Sequence, residues 1–285
     1  MSLASRRSFL KAAGAAAAVA AGAGKLSAKP FPLPLGLELY SVRAMLPTDL
    51  DGTLAKVRAA GYLEVETAQY YSYSAARWRK AFDDAGLKCI SGHWVLQDML
   101  DKPEEHIEFA HRLGMKYLVS PAATHRTPGS KGPLKLDDWR YSAEKMNVVG
   151  EKVKAAGLVY CYHNHNPEFD KEDGVMFYDE LLRLTDPKLV SFELDCGWVA
   201  SAGIDPAVYL SKSPERFPLL HVKDMVKGDN GEYHSCILGK GVVNYRPILR
   251  AATGSKHYYI EQEEFDRDIM ESLRQDVEYM RKLDL

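Results

Sequence analysis

The sequence predicts an α/β fold in which eight parallel strands, each followed by a helix, close into a (β/α)8 barrel. Three observations lead there. Short apolar runs recur along the chain, separated by helix-length stretches whose apolar residues fall at three- and four-residue spacing. Apolar runs without polar alternation mark strands buried on both faces, and such strands need helical crossovers. Eight strand–helix units in about 250 residues is the size of a closed barrel. An open doubly wound sheet usually carries a Gly-rich phosphate turn after its first strand; Glu38-Leu39-Tyr40-Ser41-Val42-Arg43 stands there instead.

In chain order the expected strands are Leu35–Leu39, Tyr62–Val65, Leu87–Ile90, Lys116–Val119, Leu158–Tyr162, Leu189–Leu194, Leu219–Val222 and His257–Ile260. Gly61, Gly86, Gly114 and Gly157 each sit between a helical stretch and the next strand, where a left-handed helix-ending residue belongs. Thr48-Asp49, Asp137-Asp138 and Asp205-Pro206 mark helix starts. No linker or composition shift divides residues 30–285, which are expected to form a single catalytic domain. The longest irregular stretches, Pro121–Leu136 and Asp224–Asn244, follow strands and belong on the C-terminal face of the barrel, where substrate loops gather.

The N-terminus reads differently. Ser5-Arg6-Arg7-Ser8-Phe9-Leu10-Lys11 is a twin-arginine pattern, followed by an Ala/Gly-rich run from Ala12 to Gly24. That run is too short and too weakly apolar for a membrane span. Residues 1–29 are therefore expected to be an export signal, read by the twin-arginine (Tat) machinery and removed, leaving a periplasmic or otherwise extracytoplasmic protein with no stable membrane insertion. Such a protein folds before export, so Cys89, Cys161, Cys196 and Cys236 are expected to be mostly free and buried. Of the 37 Lys and Arg, five lie in those 29 residues, leaving 32 against 39 Asp and Glu. That acidic balance argues against nucleic acid as a partner.

Ionisable residues collect at the C-terminal ends of the expected strands. They recur at spacing two, which turns both members of a pair to one side. The pairs are Glu38 and Tyr40, Glu64 and Glu66, His163 and His165, Glu193 and Asp195, His221 and Lys223, and Glu261 and Glu263, with His93 and Ser120 ending two further strands. In a barrel these ends converge on one mouth. Carboxylates and imidazoles meeting there make a divalent-metal site, for Mg²⁺, Mn²⁺, Co²⁺ or Zn²⁺. Asp195, His221 and Glu261 are the best ligand candidates, with a fourth from His163 or His165. Gly239 and Gly241 read as turn residues rather than a phosphate cradle, and no Walker-type loop is present.

The order of several motifs carries a resemblance: Gly36-Leu37-Glu38-Leu39-Tyr40-Ser41-Val42-Arg43, Tyr162-His163-Asn164-His165-Asn166-Pro167-Glu168-Phe169, Phe192-Glu193-Leu194-Asp195-Cys196-Gly197-Trp198, His221-Val222-Lys223-Asp224, Leu238-Gly239-Lys240-Gly241-Val242-Val243-Asn244 and Tyr259-Ile260-Glu261-Gln262-Glu263. The chain resembles the xylose isomerase-like sugar phosphate isomerase/epimerase family, a TIM-barrel family. The resemblance implies one divalent metal held by strand-end Glu, Asp, His and Glu. Asp195, His221 and Glu261 match the last three. His163 stands where ketose 3-epimerases of the family carry Glu, and Glu38 where similar chains often have Gln; the first change bears on two-base epimerisation.

The expected activity is proton abstraction alpha to a carbonyl of a sugar, in the manner of an isomerase or epimerase, with loss of a beta substituent (a lyase or dehydratase) as the alternative. Glu261, Glu193 or His165 would act as base, and Lys223 would stabilise the oxyanion or protonate a leaving oxygen. Glu38, Tyr40, Glu66, His93, Trp198 and Glu263 are the expected substrate contacts. Export favours an unphosphorylated sugar, keto-sugar or glycoside. A non-catalytic periplasmic sugar-binding protein is the alternative of another class. Oligomeric state, homo-oligomer included, is left open by the sequence.

Overall fold

The computed structural model describes residues 34–285; the expected export signal, residues 1–29, lies outside them. Eight parallel strands form a closed barrel: β1 Leu35–Glu38, β2 Glu64–Thr67, β3 Lys88–His93, β4 Tyr117–Ser120, β5 Val159–His163, β6 Val190–Asp195, β7 Leu219–Val222 and β8 His257–Ile260. Each pairs with its neighbours in sequence, and β8 returns to β1 to close the ring. Every apolar run expected to be a strand is one, with ends displaced by a few residues. The reason is burial: β1, β2, β4 and β7 are buried at every position, which selects apolar residues except where buried polar groups such as Glu64, Glu66 and His221 find partners.

The connections follow the local chemistry. Helix Leu50–Ala60 starts on Asp49, whose carboxylate accepts the Gly52 N–H, and ends at Gly61 with φ 113°. Helix Pro103–Leu113 ends at Gly114 with φ 75°. Both are left-handed conformations that a Cβ would oppose. Asp205 caps helix Pro206–Lys212 by accepting the Ala207 N–H. One expected start differs. Helix Leu136–Ala155 begins before Asp138, whose carboxylate instead reaches back to accept the Lys135 N–H and ties down the Arg126 N–H. An acidic residue before the first turn accepts amides ahead of it, whereas one inside the turn accepts the amide behind it, and either placement relieves an unpaired donor at the helix start.

Apolar helix faces pack on the outside of the barrel. A small cluster of Tyr117, Val119, Cys161, Leu219 and Tyr259 fills its interior. All four cysteines are free; Cys89, Cys161 and Cys196 are buried and Cys236 is half-buried. The stretch after β7, read from sequence as irregular, contains an antiparallel hairpin, Asp224–Lys227 with Tyr233–Cys236. No helix among the described residues is long and apolar enough to cross a membrane.

Candidate active site

Strand alternation brings the predicted pairs to the C-terminal mouth in two tiers, except Glu64, which starts β2 and pairs with His257 at the opposite end. The upper tier lines an open cavity of about 290 Å³ and contains Glu38, Tyr40, His93, His163, His165, Glu261 and Glu263. Beneath it Glu66, Glu193, Asp195, His221 and Lys223 have no exposed surface. Trp198 lies beside this tier, with the Lys223 ammonium 5.0 Å from its ring centre.

Glu193 is the hub of the lower tier. Its Oε2 lies 3.0 Å from His93 Nε2, 3.1 Å from His163 Nδ1 and 3.2 Å from His221 Nε2. Glu66 Oε1 joins the same cluster, 2.8 Å from His221 Nε2 and 3.1 Å from His93 Nε2. The other nitrogen of His221, Nδ1, is 3.0 Å from Glu261. Lys223 Nζ sits between three carboxylates: Asp195 at 3.0 Å, Glu261 at 2.8 Å and Glu263 at 2.5 Å.

Asp195, His221 and Glu261 each offer a donor atom within 4.8 Å of the others, a grouping that suits a divalent cation. His163, predicted as the fourth ligand, falls in a different group with His93, Glu193 and His221; Glu38, Glu66, His93 and His221 form a third. His221 belongs to all three. The donor chemistry fits a metal for a second reason. Glu38 Oε2, Glu66 Oε2 and Glu193 Oε1 are buried oxygens without a hydrogen-bond partner. Buried oxygens of this kind are costly unless a cation or ligand completes them.

The charges respond to one another. Burial alone would raise the Glu66 and Glu261 carboxyls, but His93 and His221 outweigh it at Glu66, and Lys223 and His221 at Glu261; both are held well below the usual range. Burial likewise opposes charge on His93 and His221, yet Glu66 and Glu193 drive their affinity for a proton up. His221 has carboxylates at both nitrogens, Glu66 and Glu193 at Nε2 and Glu261 at Nδ1. Burial, followed by the neighbouring imidazoles, pushes His163 well down. Burial and then Lys223 bring His165 to about 4, so it is a neutral ring at the rim. Burial and then Glu66 push Glu38 up.

Several supporting residues carry no signal of their own in the sequence. The Tyr245 hydroxyl accepts the Lys223 N–H at 2.6 Å and donates to the Lys223 carbonyl at 2.8 Å. At Gly197 a Cβ would press on the Lys223 backbone and side chain at 2.8–3.0 Å, so the Asp-Cys-Gly-Trp turn leaves room for the lysine. Asn164 Oδ1 accepts the Asp195 N–H at 3.0 Å, fixing β5 to β6 at the site. The buried Asp224 carboxylate accepts the N–H groups of Gly239, Gly241 and Val243 at 2.8–2.9 Å. The glycine-rich turn therefore spends these amides on Asp224, as expected of turn residues rather than of a phosphate cradle.

Residues 54–283 match the sequence profile of the family described as xylose isomerase-like TIM barrel. An inosose dehydratase of Lacticaseibacillus casei is 24% identical over 222 residues, covering 67% of this chain and 74% of that protein. An inosose dehydratase of Clostridium beijerinckii is 26% identical over 230 residues, covering 69% and 75%. The crystal structure of a sugar phosphate isomerase/epimerase from Parabacteroides distasonis superposes with a TM-score of 0.75 at 26% identity, covering 88% of this chain and 98% of that one. Closed barrel, strand-end ionisable pairs and profile agree: the chain belongs to the xylose isomerase-like TIM-barrel family.

Proposed function

We propose that this chain is a metal-dependent enzyme that abstracts the proton alpha to a carbonyl of an unphosphorylated sugar or keto-sugar. The observation that carries this reading is the buried triad Asp195, His221 and Glu261, joined by Lys223 and opening onto the mouth through Glu261. These three residues would hold one divalent cation, with His163 in the adjoining His93–Glu193–His221 group. A cation held there would supply electrophilic stabilisation of the negative charge that develops on the carbonyl oxygen.

The chain's own residues divide the remaining work. Glu261, kept ionised by Lys223, takes the alpha proton. Glu193 and Glu66 hold His221 in its ring orientation. Lys223 carries a proton at Nζ, and its neighbours Glu261 and Glu263 keep that proton within reach of a departing or reprotonating oxygen. Tyr40 and Glu263 at the rim, with Glu38 and His93 beneath, offer hydrogen bonds to sugar hydroxyls. Returning the proton to carbon gives isomerisation or epimerisation.

The second reading is elimination, in which Lys223 protonates a leaving beta oxygen. It draws support from the dehydratase relatives and from His163 at the position where two-base epimerases carry a carboxylate. Incubation with a panel of keto-sugars in D₂O tests both: deuterium in recovered substrate reports proton abstraction, and an unsaturated product reports elimination. Efficient, reversible 3-epimerisation of a free ketose would sink the elimination reading. The twin-arginine pattern supports an extracytoplasmic location. Replacing Arg6 and Arg7 by Lys should retain folded protein in the cytoplasm, and normal export of that variant would overturn the location.

A further inference from the structure

Beside the catalytic mouth lies a second, larger cavity of about 650 Å³, bounded by the loops that follow β4 and β5. Pro121 and His165 line both. Its walls are of another kind. Ala123, Pro133, Leu134, Trp139, Pro167 and Phe177 make it mainly apolar, and the Trp139 and Phe177 rings stack with centres 5.5 Å apart and planes 19° from parallel. The cavity's polar side chains are His165 at the edge shared with the mouth, the exposed Asp170 and the Tyr162–Glu168 pair. The Trp139 indole N–H is buried without a hydrogen-bond partner. One oxygen of the buried Glu168 is already engaged by the Tyr162 hydroxyl at 2.6 Å.

From this juxtaposition we infer that the cavity is a subsite for a flat apolar aglycone, so that the substrate is a glycoside whose sugar ring enters the mouth while an aromatic group rests between the two loops. The inference rests on the sugar reading above and deepens it. A second sugar ring is the competing occupant. It would bring hydroxyls on most of its carbons, and these walls would leave most of them unpaired. An aromatic ring needs only apolar surface and one or two polar atoms at its edge, which is what these walls provide.

The test is calorimetric titration of the full chain with three unreactive probes that lack a ketone: methyl β-D-glucoside, phenyl β-D-glucoside and cellobiose. Burying the phenyl ring should tighten binding roughly ten- to hundredfold over the methyl probe. Cellobiose should gain less than about threefold. Leu134→Asp and, separately, Ala123→Glu should each erase most of the phenyl gain, with an unchanged melting midpoint showing that the variant is folded. Equal binding of the methyl and phenyl probes, a cellobiose gain matching the phenyl gain, a phenyl gain surviving both substitutions, or no binding of any probe would each overturn the subsite. Deuterium exchange into a free keto-sugar separates this failure from that of the reaction. Exchange without a phenyl gain sinks the subsite alone, whereas a phenyl gain without exchange sinks the reaction and leaves the subsite.

Discussion

The two ends of the barrel interior hold the same chemical groups in different proportion. At the N-terminal end, the first residues of β2 and β8 face each other: His257 Nδ1 is 2.7 Å from Glu64 Oε2, one imidazole for one carboxylate. At the C-terminal end, two residues further along the same face of β2 and four along that of β8, Glu66 and Glu261 enter a cluster in which carboxyls outnumber their basic partners. There Glu193 serves three imidazoles through one oxygen while its other stays unpaired. A matched pair is complete as it stands. A surplus of buried carboxylate oxygen has a reason to persist only where something else completes it. Ion-pair count therefore does not separate the two ends of the barrel; the unpaired carboxylate oxygens, present at the mouth and not at the His257–Glu64 pair, do.

The largest expected effect breaks the comparison at the base. Glu261→Gln should lower the rate of deuterium incorporation by on the order of 10²–10⁴, while Glu64→Gln should stay within about twofold of the unaltered protein, as a partly exposed pair outside the mouth would. Equal losses in the two variants, measured by proton resonance on the same keto-sugar, would mean that the mouth has no special role. The metal comes next. Asp195→Ala or His221→Ala should lose most bound divalent ion, a drop in affinity of more than about a hundredfold, whereas His257→Ala should keep it; elemental analysis after gel filtration decides.

Lys223→Met sharpens the contrast through stability. Removing one partner from a buried charge cluster typically costs about 3–5 kcal/mol because the opposite charges are left uncompensated. In chelated protein the melting midpoint should fall accordingly, and excess Mn²⁺ should recover part of it. A Lys223→Met protein as stable as the parent without metal would show that Asp195 and Glu261 need no cation.

The smallest effect concerns a carboxyl remote from both ends. Burial raises Asp276, on helix Ile269–Lys282, to about 7, as its Oδ1 accepts the Leu238 N–H at 2.8 Å. Its folded-state pKa exceeds the unfolded one, so the unfolded chain releases this proton first. Stability from this group is therefore full below about pH 4 and lost as pH rises toward 7. Asp276→Asn should flatten that decline by on the order of 2 kcal/mol, as followed by urea unfolding across the range.

Much of this was legible in the sequence because it is local. Apolar runs gave the eight strands, and spacing two gave the pairs, since alternation within a strand needs no knowledge of its neighbours. Relations between distant strands were not legible. That Glu193 on β6 gathers histidines from β3, β5 and β7 depends on barrel closure and stagger, which no single segment encodes. The same holds for the separation of His163 from Asp195 and Glu261, and for Tyr245 clamping Lys223 across 22 residues. Asp138 shows a local limit: an acidic residue can serve a helix start from before or within the first turn, and sequence alone does not distinguish the two.

The central claim is that the surplus of carboxylates at the mouth supports cation-dependent proton abstraction. Deuterium incorporation from D₂O into a keto-sugar, followed in one sample before chelation, after chelation and after adding back Mn²⁺, tests it most directly. The account predicts incorporation that stops on chelation and returns with the metal. Incorporation unchanged by complete metal removal, or none under any of the three conditions across the keto-sugar panel, would contradict it.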